Sequence, residues 1–453
     1  MKVQITYREI WRIAWPIMLS SWANTIVNFT DVAFVSRVSE SALAAAALGG
    51  VFYFIMVMIG IGFGVGSQIL IARKAGENNT EQIGPIYDHS VIILLLCAAV
   101  MQLLIYGFIP SLMHLLIHEP KIAALTITYL YARGWGLCFM MVLISLRSFY
   151  TGIAMTRIVT YTTVVTMVLN VVLNYFLTLG HGGFQAMGIF GTGLASSISE
   201  TIAAIYAVIY TFTHKDVKLF GLFRFKKYQA AVTRQLLNLA SPIVFQYFVS
   251  MCAWFIFFLL IEKMGTRDLA VSNIVRSIYM VLLTPIWGFG QACNSMVSNV
   301  IGQGKSKEVL KLVSKIARLS VVVGIISTLC CILFSGFLFK ITTSDVAIIS
   351  SAMNSFYVTC VATIIFSGSM ILLSAVSGTG DTKAAMFIEL VNISLYLIYV
   401  FTCTYYFHAC VEIVWLSEVI YWLFMGIFSY FYLKSNRWMM ASQVSPSLNL
   451  MNT

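Results

Sequence analysis

Residues Ala14-Trp15-Pro16-Ile17 return, nearly unchanged, as Ala240-Ser241-Pro242-Ile243. At that spacing the chain aligns with itself without a gap from Ala14 to Arg157. Leu43-Ala44 matches Leu269-Ala270, and Tyr53 matches Tyr279. Gly62-Phe63-Gly64 matches Gly288-Phe289-Gly290, and Gly76 matches Gly302. Gly152 and Thr156-Arg157 match Gly378 and Thr382-Lys383. Spaced glycines and prolines held in one register mark an internal repeat, and the fold has to accommodate it.

Composition says where the repeat resides. The chain has 453 residues, of which 60% are hydrophobic and only 10% charged. Soluble domains carry about 25% charged residues, so this chain belongs in a bilayer. A nucleic-acid binder, a secreted disulfide scaffold and a disordered chain are excluded on the same ground. Twelve apolar runs are long enough to span, since a spanning helix takes about 20 residues. They cover 10–36, 43–72, 88–116, 122–150, 158–179, 188–213, 236–262, 269–300, 312–340, 347–376, 384–407 and 412–433. The polar stretch 214–234 separates six spans from six. It divides the chain into a first lobe at 1–213, a linker, a second lobe at 235–435 and a tail at 436–453.

Six is even, so both halves enter the membrane the same way. The expected fold is all-α and integral to the membrane: twelve transmembrane helices in two six-helix lobes related by a pseudo-two-fold along the membrane normal. Of the 28 Lys and Arg, 21 fall on the side that holds both termini and the linker. The positive-inside rule puts that side in the cytoplasm and the chain, multi-pass, in the inner (plasma) membrane. Arg133 is counted here with the opposite, outer set. Eight of the nine cysteines lie inside apolar runs and read as small core residues.

Several segments together resemble the MATE (multidrug and toxic compound extrusion) transporters over nearly the whole chain. They are Pro16 with Asn28-Phe29-Thr30-Asp31-Val32-Ala33-Phe34-Val35, the glycine-rich stretch through Gly76, and its twin at 288–304. Gly378-Thr379-Gly380-Asp381-Thr382 and Asn170-Val171-Val172-Leu173-Asn174 complete the set. The resemblance implies an antiporter that expels lipophilic organic cations in exchange for protons or sodium ions. It is closer to the DinF-like branch. NorM-like members carry a helix-7 glutamate where this chain has Ser250, and DinF-like members pair Asn and Asp in helix 5 where this chain has Asn170 and Asn174.

The intramembrane residues carry their own argument. A mid-span carboxylate costs about 2.5–3.5 kcal/mol on insertion scales, so it is kept for a reason. Asp31, Glu200, Glu389 and Glu418 lie deep in spans. Asn24, Asn28 and Asp31 share a helix face, as do Thr163, Thr166, Asn170 and Asn174, and again Thr192, Ser196 and Glu200. Lipid rejects such stripes, so they face one another or water. Asp31, Asn170, Asn174, Ser196 and Glu200 form the expected ion-coupling site, with Glu200 as a second proton step or as a replacement sodium ligand. Pro16 is the expected bend in helix 1. Glu389, Asn392, Tyr396 and Glu418 form a candidate second-lobe cavity, serving as a second proton site or as substrate contacts; a buried ion pair with Arg276 is the bland alternative.

Two motifs are set aside. Gly60-Ile61-Gly62-Phe63-Gly64-Val65-Gly66 mimics a phosphate loop but lies within an apolar span. His114 and His118 have zinc-like spacing but lack the internal Glu of a metalloprotease helix and sit at a span end beside Pro120, and no metal or other cofactor is expected. With Asn174 replacing a carboxylate, protons are the expected coupling ion and sodium the alternative. A lipid-linked saccharide flippase of the same superfamily is the second transport reading. It predicts a cationic cavity, and the sequence places more acids than bases in mid-span. No enzyme constellation appears, and the chain is expected to act as a monomer.

Overall fold

The computed structural model describes residues 2–225, 228–342 and 346–439. Lys226 and Lys227 of the linker and residues 440–453 of the tail lie outside the described residues. Twelve long helices follow one another, and among the described residues there is no strand. They are α1 Tyr7–Val35, α2 Glu40–Gly76, α3 Thr80–Leu116, α4 Pro120–Gly152, α5 Arg157–Thr178 and α6 Gly188–Thr213. The second set is α7 Ala230–Met264, α8 Thr266–Gly302, α9 Ser306–Leu333, α10 Val346–Gly378, α11 Thr382–Tyr406 and α12 Val411–Lys434. Eleven are long and apolar enough to cross a membrane. Among the described residues, α1 falls short of that mark; it carries Arg8, Glu9, Arg12 and Asp31. The chain is a multi-pass membrane protein.

Several helices outrun the apolar spans read from sequence. For 43–72 the helix is Glu40–Gly76. Polar residues continue the backbone ladder past the apolar stretch, and Ser39 caps the start by accepting from the Ala42 N–H. Twin glycines end twin helices: Gly76 and Gly302 close α2 and α8, and Gly152 and Gly378 close α4 and α10. The His114–His118 spacing does not survive as one helical face, because α3 stops at Leu116.

Packing divides the chain into two compact units. One is Leu19–Val244, the other Lys2–Met18 with the chain from Phe245 onward. Both cuts fall inside a helix, two residues after Pro16 in α1 and two after Pro242 in α7. Each unit therefore contains five whole helices and parts of α1 and α7. The repeated glycines explain why these short segments pack where they do. A Cβ on Gly62 would lie 2.8 Å from Val244 Cγ2 and 3.1 Å from its Cα. A Cβ on Gly288 would lie 2.8 Å from Met18 Cγ and 2.9 Å from its Cα. The two contacts are the same contact in the two repeats, and only glycine permits that approach.

Candidate functional site in the first unit

Helices α4 and α6 touch backbone to backbone through small residues. A Cβ on Gly136 would meet Ser197 Cα at 2.8 Å, and one on Gly193 would meet Ala132 Cβ at 2.7 Å. The Ser197 hydroxyl donates to the Ala132 carbonyl at 2.8 Å. This approach sets the side chains of α6 against both α4 and α5. The last stretch of α5, Asn174–Thr178, winds with a wider turn, an interruption common at functional sites.

Asp31 of α1 meets that stretch. Its Oδ1 accepts from Asn170 Nδ2 at 3.1 Å and from Asn174 Nδ2 at 2.8 Å. Its Oδ2 accepts from the Ser196 hydroxyl at 2.9 Å. The amide oxygens are turned elsewhere: Asn170 Oδ1 accepts from Asn174 Nδ2 at 3.2 Å, and Asn174 Oδ1 accepts from the Thr178 hydroxyl at 2.9 Å. Thr178 and Thr192 share a hydrogen bond at 3.0 Å. Asn170 and Asn174 are fully buried, so this network is fixed from behind. One carboxylate therefore faces three side-chain donors.

Four of the five residues expected at this site come together, and the fifth does not. Glu200 lies one turn beyond Ser196 and pairs with Arg133 of α4, Nη2 to Oε1 at 3.0 Å. Asn24 and Asn28, expected on the same stripe as Asp31, are exposed. Arg133 was counted among outer-loop charges; it is instead buried in the middle of α4, 4.0 Å above the centre of the Tyr53 ring. Its position inside the span 122–150 was the signal that could have marked it. Arg147, also on α4, donates from Nη2 to Thr163 Oγ1 at 3.1 Å. Mid-span bases are thus present, which weakens the acid-over-base argument against the flippase reading. Helix α1 runs unbroken through Pro16.

The second unit holds two separate acids. Glu389 of α11 accepts at Oε1 from Ser250 of α7 at 2.7 Å and from the Tyr421 hydroxyl of α12. Glu418 of α12 accepts at Oε2 from Tyr279 of α8 at 3.0 Å and from Trp422 Nε1 at 3.2 Å. Ser199-Glu200 and Ser417-Glu418 look like twins in sequence, yet one glutamate takes an arginine and the other a phenol and an indole. Asn392 Nδ2 donates to the Ile388 carbonyl and to Met425 Sδ, each at 3.3 Å. Tyr396 packs its ring against Tyr421 and Phe257. Arg276 joins neither glutamate; it is exposed, over the ring of Phe258 at 4.9 Å.

A family profile described as MatE matches the chain twice, at residues 16–176 and 242–402, the same register as the internal repeat. The chain belongs to the MATE family. It is a transporter, not an enzyme. The curated protein "Probable multidrug resistance protein NorM" of Pasteurella multocida (strain Pm70) is 24% identical over 392 residues, covering 85% of this chain and 84% of that protein. Its namesake in Idiomarina loihiensis is 24% identical over 393 residues, with 85% and 84% covered. A solved outward-facing MATE family transporter of the MOP superfamily superposes with TM-score 0.87 at 17% identity, covering 96% of each chain. A MOP superfamily transporter from Pyrococcus furiosus gives TM-score 0.88 at 18% identity, covering 97% of this chain and 96% of that one. Those likenesses establish this MATE chain's fold.

Proposed function

We propose that this MATE transporter is a multidrug efflux antiporter that exchanges lipophilic organic cations for protons by alternating access. The names of the curated relatives, multidrug resistance proteins, support multidrug cargo. The carrying observation for the ion is the Asp31 site: one carboxylate faces three donors, and both amide oxygens are engaged within the protein. Sodium needs several oxygen ligands pointing at it, as hard cations do. A proton needs only one carboxylate oxygen. Two asparagines in place of the Asn–Asp pair, which leave Asp31 as the cluster's single acid, also support a DinF-like site altered toward protons. Protonating Asp31 removes its charge from the three donors, and that change repacks α1, with Pro16 letting the helix bend.

In this reading both termini face the cytoplasm, the protein acts as a monomer in the inner membrane, and no cofactor is needed. Ethidium efflux from proteoliposomes, with pH and sodium gradients imposed separately, tests it. Efflux driven by the pH gradient alone is expected. Efflux driven by sodium alone at equal pH would sink the proton reading.

A further inference from the structure

The Arg133–Glu200 pair is unexplained by the proton site, and it is costly. Two charges taken from water gain little net stability from their mutual attraction, so such a pair is retained for another reason. Here the pair is also incompletely satisfied. Arg133 Nε and Nη1 are buried without a hydrogen-bond partner among the described residues. The guanidinium charge acts on Asp31 as well as on Glu200. The groups facing this region are Asp31 on α1, Tyr53 on α2, Tyr129, Arg133 and Arg147 on α4, and Glu200 on α6; α5 contributes only amides and hydroxyls.

The charge count is then simple. With both acids ionised, Asp31 and Glu200 balance Arg133 and Arg147, and the region is neutral before any cargo arrives. An arginine cannot give up its proton in a protein, so its charge is permanent. A sodium ion entering here would add an uncompensated charge in a medium of low dielectric, where repulsion is strong. It would also meet guanidinium and amide N–H groups where it needs oxygens.

Building on the proton reading above, we infer that Arg133 is a tethered cation standing in for a sodium ion, held by Glu200 so that the first unit selects protons against sodium. Glu200 is thereby a positioning residue rather than a second proton carrier.

Binding of ²²Na⁺ to the purified protein tests this independently of transport. Wild type and Arg133→Lys, which keeps the positive charge, should show no saturable binding. Arg133→Gln frees Glu200 and should show the saturable sodium binding that wild type lacks. Arg133→Gln/Glu200→Gln removes the freed acid and should lose that binding. Glu200→Gln alone leaves the guanidinium to act on Asp31, and the pH profile of ethidium efflux should move toward acid. The last variant keeps the inference testable if Arg133→Gln fails to fold. Saturable sodium binding by wild type, a folded Arg133→Gln that ignores sodium, or an unmoved pH profile in Glu200→Gln would each overturn it. Sodium-driven efflux by wild type would instead strike the proton reading itself, whereas proton-driven efflux with a sodium-blind Arg133→Gln rejects only the role of Arg133.

Discussion

Ser250 Oγ donates to Glu389 Oε1 at 2.7 Å, so a carboxylate from α11 reaches the place on α7 where the family resemblance implies a glutamate in NorM-like members. The residue at the expected position is neutral, and the acid arrives from another helix. Tyr421 donates to the same oxygen, and Glu389 is buried.

If that acid serves transport, removing it should hurt more than removing its donor. Glu389→Gln should lower ethidium efflux about tenfold or more, as expected for a functional intramembrane acid. Ser250→Ala deletes one of the donors to Glu389 and should cost about 1–3 kcal/mol of local stability while leaving most efflux. Equal losses in the two variants, measured beside thermal unfolding, would mean that Glu389 only holds helices together.

Asp31→Asn should abolish efflux driven by a pH gradient. Asparagine keeps an oxygen for one of the donors but cannot take up and release a proton near neutral pH. Drug binding and the unfolding temperature should stay close to wild type. A variant that still builds a normal drug gradient would make Asp31 structural.

The paired glycine contacts predict matched damage in the two repeats. Gly62→Ala and Gly288→Ala each drive a methyl into backbone and side-chain atoms, and overpacking of this kind costs about 1–3 kcal/mol. Gly50→Ala meets nothing within 4 Å and should be harmless. Thermal unfolding of the three variants in detergent checks this. A destabilised Gly50→Ala beside neutral changes at the other two sites would contradict the packing account.

The stretch after α6 is held by α3. Asp88 Oδ1 accepts from the Phe223 N–H at 2.7 Å and Oδ2 from the Phe225 N–H at 2.9 Å. Both phenylalanines have positive φ, 59° and 42°, which is uncommon for a bulky residue and persists only when surroundings enforce it. Asp88→Ala should release the clamp, costing about 3 kcal/mol locally for two charge-assisted bonds. Limited proteolysis within 214–234 should become faster by about tenfold or more. Unchanged cleavage would show that the segment is held by other contacts.

Much of the architecture was legible because a bilayer leaves few solutions. Apolar length, the even number of spans and the glycine–proline register identify twelve helices in two repeats, since only closed backbone hydrogen bonding survives in lipid. The Asp31–Asn170–Asn174–Ser196 grouping was legible too, because helical periodicity puts each residue on a polar face that lipid refuses. Glu200 was misplaced by the same logic. Its face was read correctly, but face alone does not say which neighbouring helix it meets.

That choice belongs to tertiary structure. Gly136 and Gly193 let α4 and α6 approach until Arg133 reaches Glu200, and helix approach depends on small residues scattered over two segments rather than on any local pattern. The register of α7 against α11 decides that Ser250 meets Glu389, and that of α8 against α12 decides that Glu418 meets Tyr279 instead of Arg276. Sequence determines which residues must leave lipid, because the cost of exposing them there is local. Which partner each one finds is settled only when the helices pack, because that depends on contacts made between distant parts of the chain.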